Sequence, residues 1–422
     1  MSALPQQVLP LTAKVVGGRL EIGGCDVVDL AERHGTPVFV YDEVHLRERA
    51  REAVAAFGDG ATYASKAFLC RAMARLVAEE GMGIDVATGG ELHVALAGGM
   101  PPARITLHGN NKSSDELRAA LEVGIGRVVV DSFDEIDRIE ALVRAGTPAP
   151  RVFVRVTPGV EAHTHEYVMT GQDDSKFGFG LSSGAAGEAI ARVNASDAME
   201  LVGVHAHIGS NIFLLSSFEK AIEKLAPFVA PLDLPELSLG GGLGVAYVEG
   251  EEAPSIGEWA GVLHRACAAH GITAKLVVEP GRSIVAGGAV TLYRVGTIKH
   301  LPGIRTYVSV DGGMSDNPRP VLYGSGYEAF LPRETEADRP LVATIVGKHC
   351  ESGDVLVRDA QLPADLAVGD ILATPVTGAY GHSMASNYNK VPRPPVLFVR
   401  DGDDRVVVRR ETFDDLLALD VE

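Results

Sequence analysis

Several absences narrow the possibilities before any motif is considered. Only four cysteines occur, Cys25, Cys70, Cys267 and Cys350, scattered and without a CxxC. Neither a disulfide framework nor a thiolate zinc site is therefore indicated. No stretch reaches the roughly 18 to 20 consecutive apolar residues of a membrane span. Met1 to Lys14 has neither the basic start nor the apolar core of an export signal. No membrane partner is expected, and the cytoplasm is the simplest location. Positive charge is scarce as well: 38 Lys and Arg stand against 56 Asp and Glu, a formal net charge of −18. That balance argues against a nucleic-acid partner, whose phosphates call for a basic face. It leaves room for a small anionic ligand gripped by a few local donors.

What is present is a chain of 422 residues, 46% hydrophobic and 22% charged, long enough for two domains, one of them a large barrel. Short apolar runs alternate with helical stretches at Ala61–Ser65, Met82–Val86, Arg104–His108, Arg127–Val130, Arg151–Val156, Leu201–His205, Glu236–Leu239 and Lys275–Val278. The stretches between them, such as Leu69–Glu80, Ser114–Val123, Phe133–Arg144 and Pro254–His270, carry helical spacing. Eight β–α units over this length predict an α/β (β/α)₈ barrel spanning residues 42–282. After Arg282 the runs are short and separated by Gly, Pro and Asp turns, which predicts a second, mainly β domain from residues 1–41 and 283–422. Lys14–Leu30 and Val38–Tyr41 read as strands and turns of that domain, Glu43–Phe57 as a helix leading into the barrel, and Thr412–Leu419 as a closing helix.

The candidate chemistry sits where strands end, the rim on which barrel active sites lie. Lys66, in Tyr63–Ala67, ends the first strand; a lysine there forms a Schiff base if partly desolvated, although on position alone a solvent-reaching rim lysine is the better reading. The run His205–Ala206–His207–Ile208–Gly209–Ser210 ends the sixth strand. One histidine there suits the face of a flat cofactor, and Ser210 with nearby amides suits a phosphate. With His163 and His165 these histidines also admit a minor zinc reading, but the surrounding glycines favour an anion. Gly240, Gly241 and Gly242 follow the seventh strand, at the address of the barrel's common phosphate site. Glu279 and Arg282 end the eighth; a buried carboxylate facing a pyridine nitrogen would keep that nitrogen protonated, whereas an internal Glu–Arg pair is the bland alternative. In the β domain, Asp311–Asp316, Arg319, Tyr323, Cys350–Glu351 and Gly378–Tyr380 read alone as ordinary turns, and no histidine is placed by sequence to activate Cys350.

Taken together, YASKAFLC, DVATGGEL, LHGNNKS, VEAHTHEY, SKFGF, HIGS, GGGLG, EPGR, DGGMSDN, KHCESGD and TGAY resemble, in order and over nearly the whole chain, the fold-type III pyridoxal-phosphate decarboxylases. The resemblance implies an alanine racemase-like barrel with pyridoxal 5'-phosphate on Lys66, His207 stacked on the ring and Glu279 at its nitrogen. It implies Ser210, Gly240, Gly241, Gly242, Gly281 and Tyr380 near the phosphate and Asp85 close to Lys66. Arg282, Arg319 and Tyr323 match positions that grip a distal carboxylate, Glu351 one that meets a distal amine, and Cys350 one that returns a proton. In the family Cys350 and Glu351 come from a partner subunit, so a homodimer with a shared active site is implied. The expected substrate is a small amino acid with a second amino-acid head, meso-2,6-diaminopimelate yielding L-lysine and CO₂. Asn211, Gln172–Ser175 and Pro318 depart from the usual pattern and leave room for a related amino acid of secondary metabolism; a non-catalytic binding or regulatory paralogue would be expected to lose Lys66, Glu279 or Cys350. A racemase would carry arginine in place of Glu279.

Overall fold

A computed structural model describes residues 6–159 and 175–421. His163, His165 and Gln172–Asp174 lie outside the described residues. The chain divides into two compact units, one of Met1–Glu48, Val245–Glu252 and Ile284–Glu422, the other of Arg49–Gly244 and Ala253–Ser283.

The second unit is the barrel. Its strands are β1 (Thr62–Ala64), β2 (Gly83–Val86), β3 (Ile105–Leu107), β4 (Arg127–Val130), β5 (Arg151–Thr157), β6 (Glu200–His205), β7 (Glu236–Ser238) and β8 (Lys275–Val277). Each pairs in parallel with the next, with registers such as Ile84↔Ile105, Val130↔Val154 and Ser238↔Val277. The bridge Ala61↔Val278 and the bond from Thr62 N–H to Val278 O at 2.9 Å close the ring. The runs are short and nearly all buried because a parallel barrel covers both faces of every strand. Helices follow where a capping residue starts them. Ser113 and Glu116 form a capping box on Ser114–Glu122, Ser255 and Glu258 another on Ile256–Ala269, and Ser132 caps Phe133–Arg144. Against the barrel wall lies a buried ion pair, Lys112 Nζ to Glu135 Oε1 at 2.6 Å, with Lys112 also donating to the carbonyls of Gly109 and Val129.

The other unit is built on a mixed sheet in the order Val355–Leu362, Leu341–Val346, Arg305–Val310, Ala289–Leu301, Val38–Asp42, Val396–Arg400, Asp403–Val408, with Ile371–Pro375 also paired to Ala289–Leu301. Its core gathers Leu20, Ile22, Val27, Leu30, Val38, Val40, Val290, Leu292, Phe330, Leu397 and Val399.

Two local expectations fail. Val27–His34 is an α-helix rather than strand and turn: Asp26 caps it by accepting from Val28 and Asp29 N–H, and Val27, Leu30 and Ala31 form its buried face. Thr412–Leu419 yields only a 3₁₀ turn at Asp415–Leu417. Phe413, Leu417 and Leu419 are exposed, so no apolar face is buried to sustain a short helix.

Candidate active site

The rim of the barrel brings Lys66, Asp85, His108, His205, His207, Ser238, the Gly240–Gly242 turn, Glu279 and Arg282 to the C-terminal ends of β1, β2, β3, β6, β7 and β8. Lys66 sits in a 3₁₀ turn, Ser65–Ala67, directly after β1. Ser65 and Ala67 are buried while Lys66 is exposed, so the flanking residues fix the turn and the amine is left outside the core.

Glu279 is the most elaborately held residue. It is 7% exposed. Ser238 Oγ–H donates to Oε1 at 3.0 Å and His205 Nε2 lies 3.1 Å from Oε2. His108 Nε2 is 3.3 Å from Oε1 but off hydrogen-bonding geometry. Burial alone would push this carboxyl up; His205 and His108 outweigh it and hold Glu279 well below the usual carboxylate range. Burial likewise keeps His205 below its ordinary value and hence neutral, so its Nε2–H is the donor and its buried Nδ1 has no partner among the described residues. Asp85 takes the opposite course. It accepts from Ser65 N–H at 3.2 Å, and burial, with Glu279 adding repulsion, pushes it up to about 7 despite the pull of His108 and Lys66. Two carboxyls in one site are thus driven apart, one anionic and one poised near neutrality.

His207, also kept neutral, by burial first and then by Lys66, accepts Gly241 N–H on Nδ1 at 3.2 Å. Gly240 N–H goes to Ser238 Oγ at 3.3 Å. Two of the three amides expected to converge on an anion are therefore committed internally, leaving the Gly242 N–H without a partner among the described residues. The turn needs glycine for room: Gly240 has φ +66° and Gly242 φ +106°, and added Cβ atoms would stand 2.6 Å from His207 Nδ1 and 2.3 Å from Gly209 O. Gly281 is equally hemmed in: an added Cβ would stand 2.8 Å from the Ala64 Cβ. Arg282 Nη2 donates to Ser210 Oγ at 3.0 Å. Arg155, whose charge is felt at His207 and Glu279, leans on Asp131 at 3.4 Å and over the Phe177 ring at 4.4 Å.

An ionised carboxylate for a ring N–H, an exposed amine and a turn free of side chains beside Ser210 and Arg282 fit pyridoxal phosphate. The donor atoms of His108, His205 and Glu279 also lie within 4.8 Å of one another, a spacing that suits a metal. Each histidine of the HAH run, however, already has a separate task.

The β unit carries its own cluster. Arg319, 4% exposed, donates Nε–H to Tyr327 Oη at 3.0 Å and Nη2–H to Ser325 Oγ at 2.9 Å. Its guanidinium lies over the rings of Tyr247, Tyr323 and Tyr380 at 4.7, 5.6 and 5.9 Å. No carboxylate pairs with it among the described residues. Cys350 and Glu351 are exposed; Cys350 N–H donates to Asn389 Oδ1, and Glu351 Oε1 accepts from Gly353 N–H at 3.4 Å. Sequence reasoning missed Ser238, His108, Arg155, Tyr247, Ser325 and Tyr327. Ser238, two residues before the glycines and strand-terminal, carried a signal that position on the rim makes readable.

Residues 43–286 match the family model for the pyridoxal binding domain of the pyridoxal-dependent decarboxylases. Barrel, site and match together define a pyridoxal-phosphate-dependent decarboxylase. Diaminopimelate decarboxylase of Mycobacterium tuberculosis is 48% identical over 421 residues, 95% of this chain and 94% of that protein. The Bacillus subtilis enzyme is 46% identical over 424 residues, 96% and 95%. A crystal structure of the M. jannaschii diaminopimelate decarboxylase in complex with L-lysine superposes with a TM-score of 0.91 at 33% identity, covering 98% of both chains. The chain belongs to the diaminopimelate decarboxylase family.

Proposed function

We propose that the chain catalyses the pyridoxal-phosphate-dependent decarboxylation of meso-2,6-diaminopimelate to L-lysine and CO₂, the closing reaction of a lysine-forming route. The observation that carries this reading is Glu279, a carboxylate kept ionised by donated hydrogen bonds in a buried setting. Bound pyridoxal phosphate supplies the electron sink for the pair left when the α-carboxyl departs. Glu279 holds the proton on the ring nitrogen, and the Ser238 and His205 donors hold Glu279. Lys66 is assigned the covalent hold on the cofactor and His207 its ring face. Ser210, Gly240–Gly242, Gly281, Arg282 and Tyr380 are assigned its phosphate end, and Asp85 the vicinity of Lys66.

Arg319 favours a substrate with a distal carboxylate. It is a buried cation stabilised by rings and hydroxyls rather than neutralised, and a simple diamine precursor would bring no anion to satisfy it. Tyr323 and Arg282 are assigned to the same recognition, Glu351 to the distal amine and Cys350 to protonation of the α-carbon. Cys350 and Glu351 are exposed, as residues lent to a second copy must be, and we read the working unit as a homodimer in the cytoplasm. No helix among the described residues is long and apolar enough to cross a membrane.

The test is the visible spectrum of the protein after incubation with pyridoxal phosphate. A cofactor band that disappears on borohydride reduction and is missing in Lys66→Ala is expected. A protein that stays colourless and takes up no cofactor would overturn the reading.

A further inference from the structure

The eight residues Val245–Glu252 interrupt the barrel unit in sequence and belong to the β unit. They follow Gly244, the last glycine of the turn after β7. The excursion is anchored within its own unit: Tyr247 N–H donates to Glu251 Oε2 at 2.8 Å, and Gln7 Nε2 donates to the carbonyls of Val248 and Glu251 at 3.3 Å. Its one large buried side chain is Tyr247, 3% exposed. That ring is the nearest of the three to the Arg319 guanidinium, at 4.7 Å. It also meets Tyr327 edge-on, with centroids 5.3 Å apart and planes at 76°, and the Tyr327 hydroxyl is the acceptor for Arg319 Nε–H.

One side chain therefore acts on Arg319 twice. Its face fixes the guanidinium plane through the ring quadrupole, and its contact with Tyr327 braces the acceptor that fixes rotation within that plane. Nε and Nη2 are engaged in this way, and no partner for Nη1 exists among the described residues. A carboxylate in place of these rings would cancel the charge. Rings and neutral hydroxyls keep it available and aimed.

We infer that Tyr247 is a specificity-determining positioning residue, which presents the Arg319 guanidinium in the orientation that binds the carboxylate at the far end of the substrate. The inference rests on the assignment of Arg319 to that carboxylate. Its consequence is selective: Tyr247 should matter for a ligand with a distal carboxylate and not for cofactor attachment or the bond-breaking step.

The experiment compares Tyr247→Leu, Tyr247→Phe, Tyr327→Phe and Arg319→Gln holoenzymes. Steady-state kinetics with meso-diaminopimelate are paired with calorimetric binding of pimelate, a dicarboxylate of the same length without amines. Losing a cation–ring contact in a desolvated setting predicts a KM and a pimelate Kd raised by about 2- to 30-fold in Tyr247→Leu, with kcat and cofactor content retained. Tyr247→Phe keeps the face and should stay within about twofold of the parent, while Tyr327→Phe should show a partial loss. If Arg319→Gln raises KM and Tyr247→Leu does not, the inference falls and the Arg319 assignment stands. If Tyr247→Phe is as impaired as Tyr247→Leu, the hydroxyl rather than the ring face is responsible, and the inference also falls. Loss of kcat and cofactor together with KM in Tyr247→Phe would reduce the residue to a structural one. Indifference of KM to Arg319→Gln would overturn assignment and inference alike.

Discussion

Replacing His205 with phenylalanine isolates one of the hydrogen bonds donated to the Glu279 carboxylate. The His205 ring is 1% exposed and packs edge-on against His108 with centroids 4.9 Å apart. Phenylalanine preserves the ring and that contact but removes the Nε2–H, 3.1 Å from Glu279 Oε2. A hydrogen bond to a charged group contributes about 1.5–3 kcal/mol, equivalent to a rise of about 1–2 units in the titration of Glu279. Glu279 starts well below its ordinary value, so such a rise leaves it ionised at neutral pH and the loss appears as stability. Both groups titrate lower in the folded protein than in the unfolded chain. Glu279 contributes stability that is full above about 4.3 and is lost as pH falls through its folded value. His205 costs stability below about 6.5, where the unfolded chain takes up a proton that the buried ring refuses. The parent should therefore exceed His205→Phe by about 1.5–3 kcal/mol at pH 8, with the gap narrowing as pH falls below about 6.5. Urea unfolding of the cofactor-free protein, followed by fluorescence, reads this directly. The single tryptophan, Trp259, is fully buried in the barrel against Phe57 and Phe218 and reports that unit alone. A gap absent at pH 8, or one that widens on acidification, would refute the reasoning.

Other consequences are equally direct. Gly242→Ala places a Cβ 2.3 Å from Gly209 O at φ +106°, strain of at least about 1–3 kcal/mol; titration of the cofactor-free variant should show weakened pyridoxal-phosphate binding, and unchanged affinity would count against the turn as a phosphate cradle. Lys112→Met strands Glu135 in the barrel wall and should cost about 3–5 kcal/mol in urea unfolding, most of it recovered in Lys112→Met/Glu135→Leu, where no buried charge is left unpaired. Asp85 is pushed up to about 7 in the folded protein, so between about 4 and that value the folded state holds a proton the unfolded chain has released. Cofactor-free stability should fall across this window as pH rises, and Asp85→Asn should flatten that component of the slope; an unchanged profile would place the proton elsewhere.

The barrel was legible in the sequence because strands buried on both faces read as apolar runs, and β4, for instance, coincides with its run at Arg127–Val130. Helical spacing between those runs located helices, as at Phe133–Arg144. Val27–His34 escaped because two valines open it and imitate a strand, while the deciding feature, Asp26 turned onto Val28 and Asp29 N–H, is a single side chain. The excursion Val245–Glu252 was read as part of the barrel because nothing in its eight residues says which unit their side chains join. Lys66, Glu279 and the glycine turn could be picked out because strand ends give them an address. Ser238 and His108 act through Glu279, and Tyr247 and Tyr327 through Arg319. The rim position of Ser238 apart, such partners are set by three-dimensional proximity, for which linear spacing holds no signal. The internal use of the Gly240 and Gly241 amides was hidden for the same reason.

CO₂ release by the holoenzyme, measured side by side with meso-diaminopimelate, its LL isomer, L-lysine and L-ornithine, tests the proposed reaction most directly. Stoichiometric CO₂ and L-lysine from the meso compound are expected, with little from lysine or ornithine, which bring no distal carboxylate to Arg319. Turnover of ornithine or lysine in preference to the meso compound, or no CO₂ from any of the four by a protein that holds its cofactor, would contradict it.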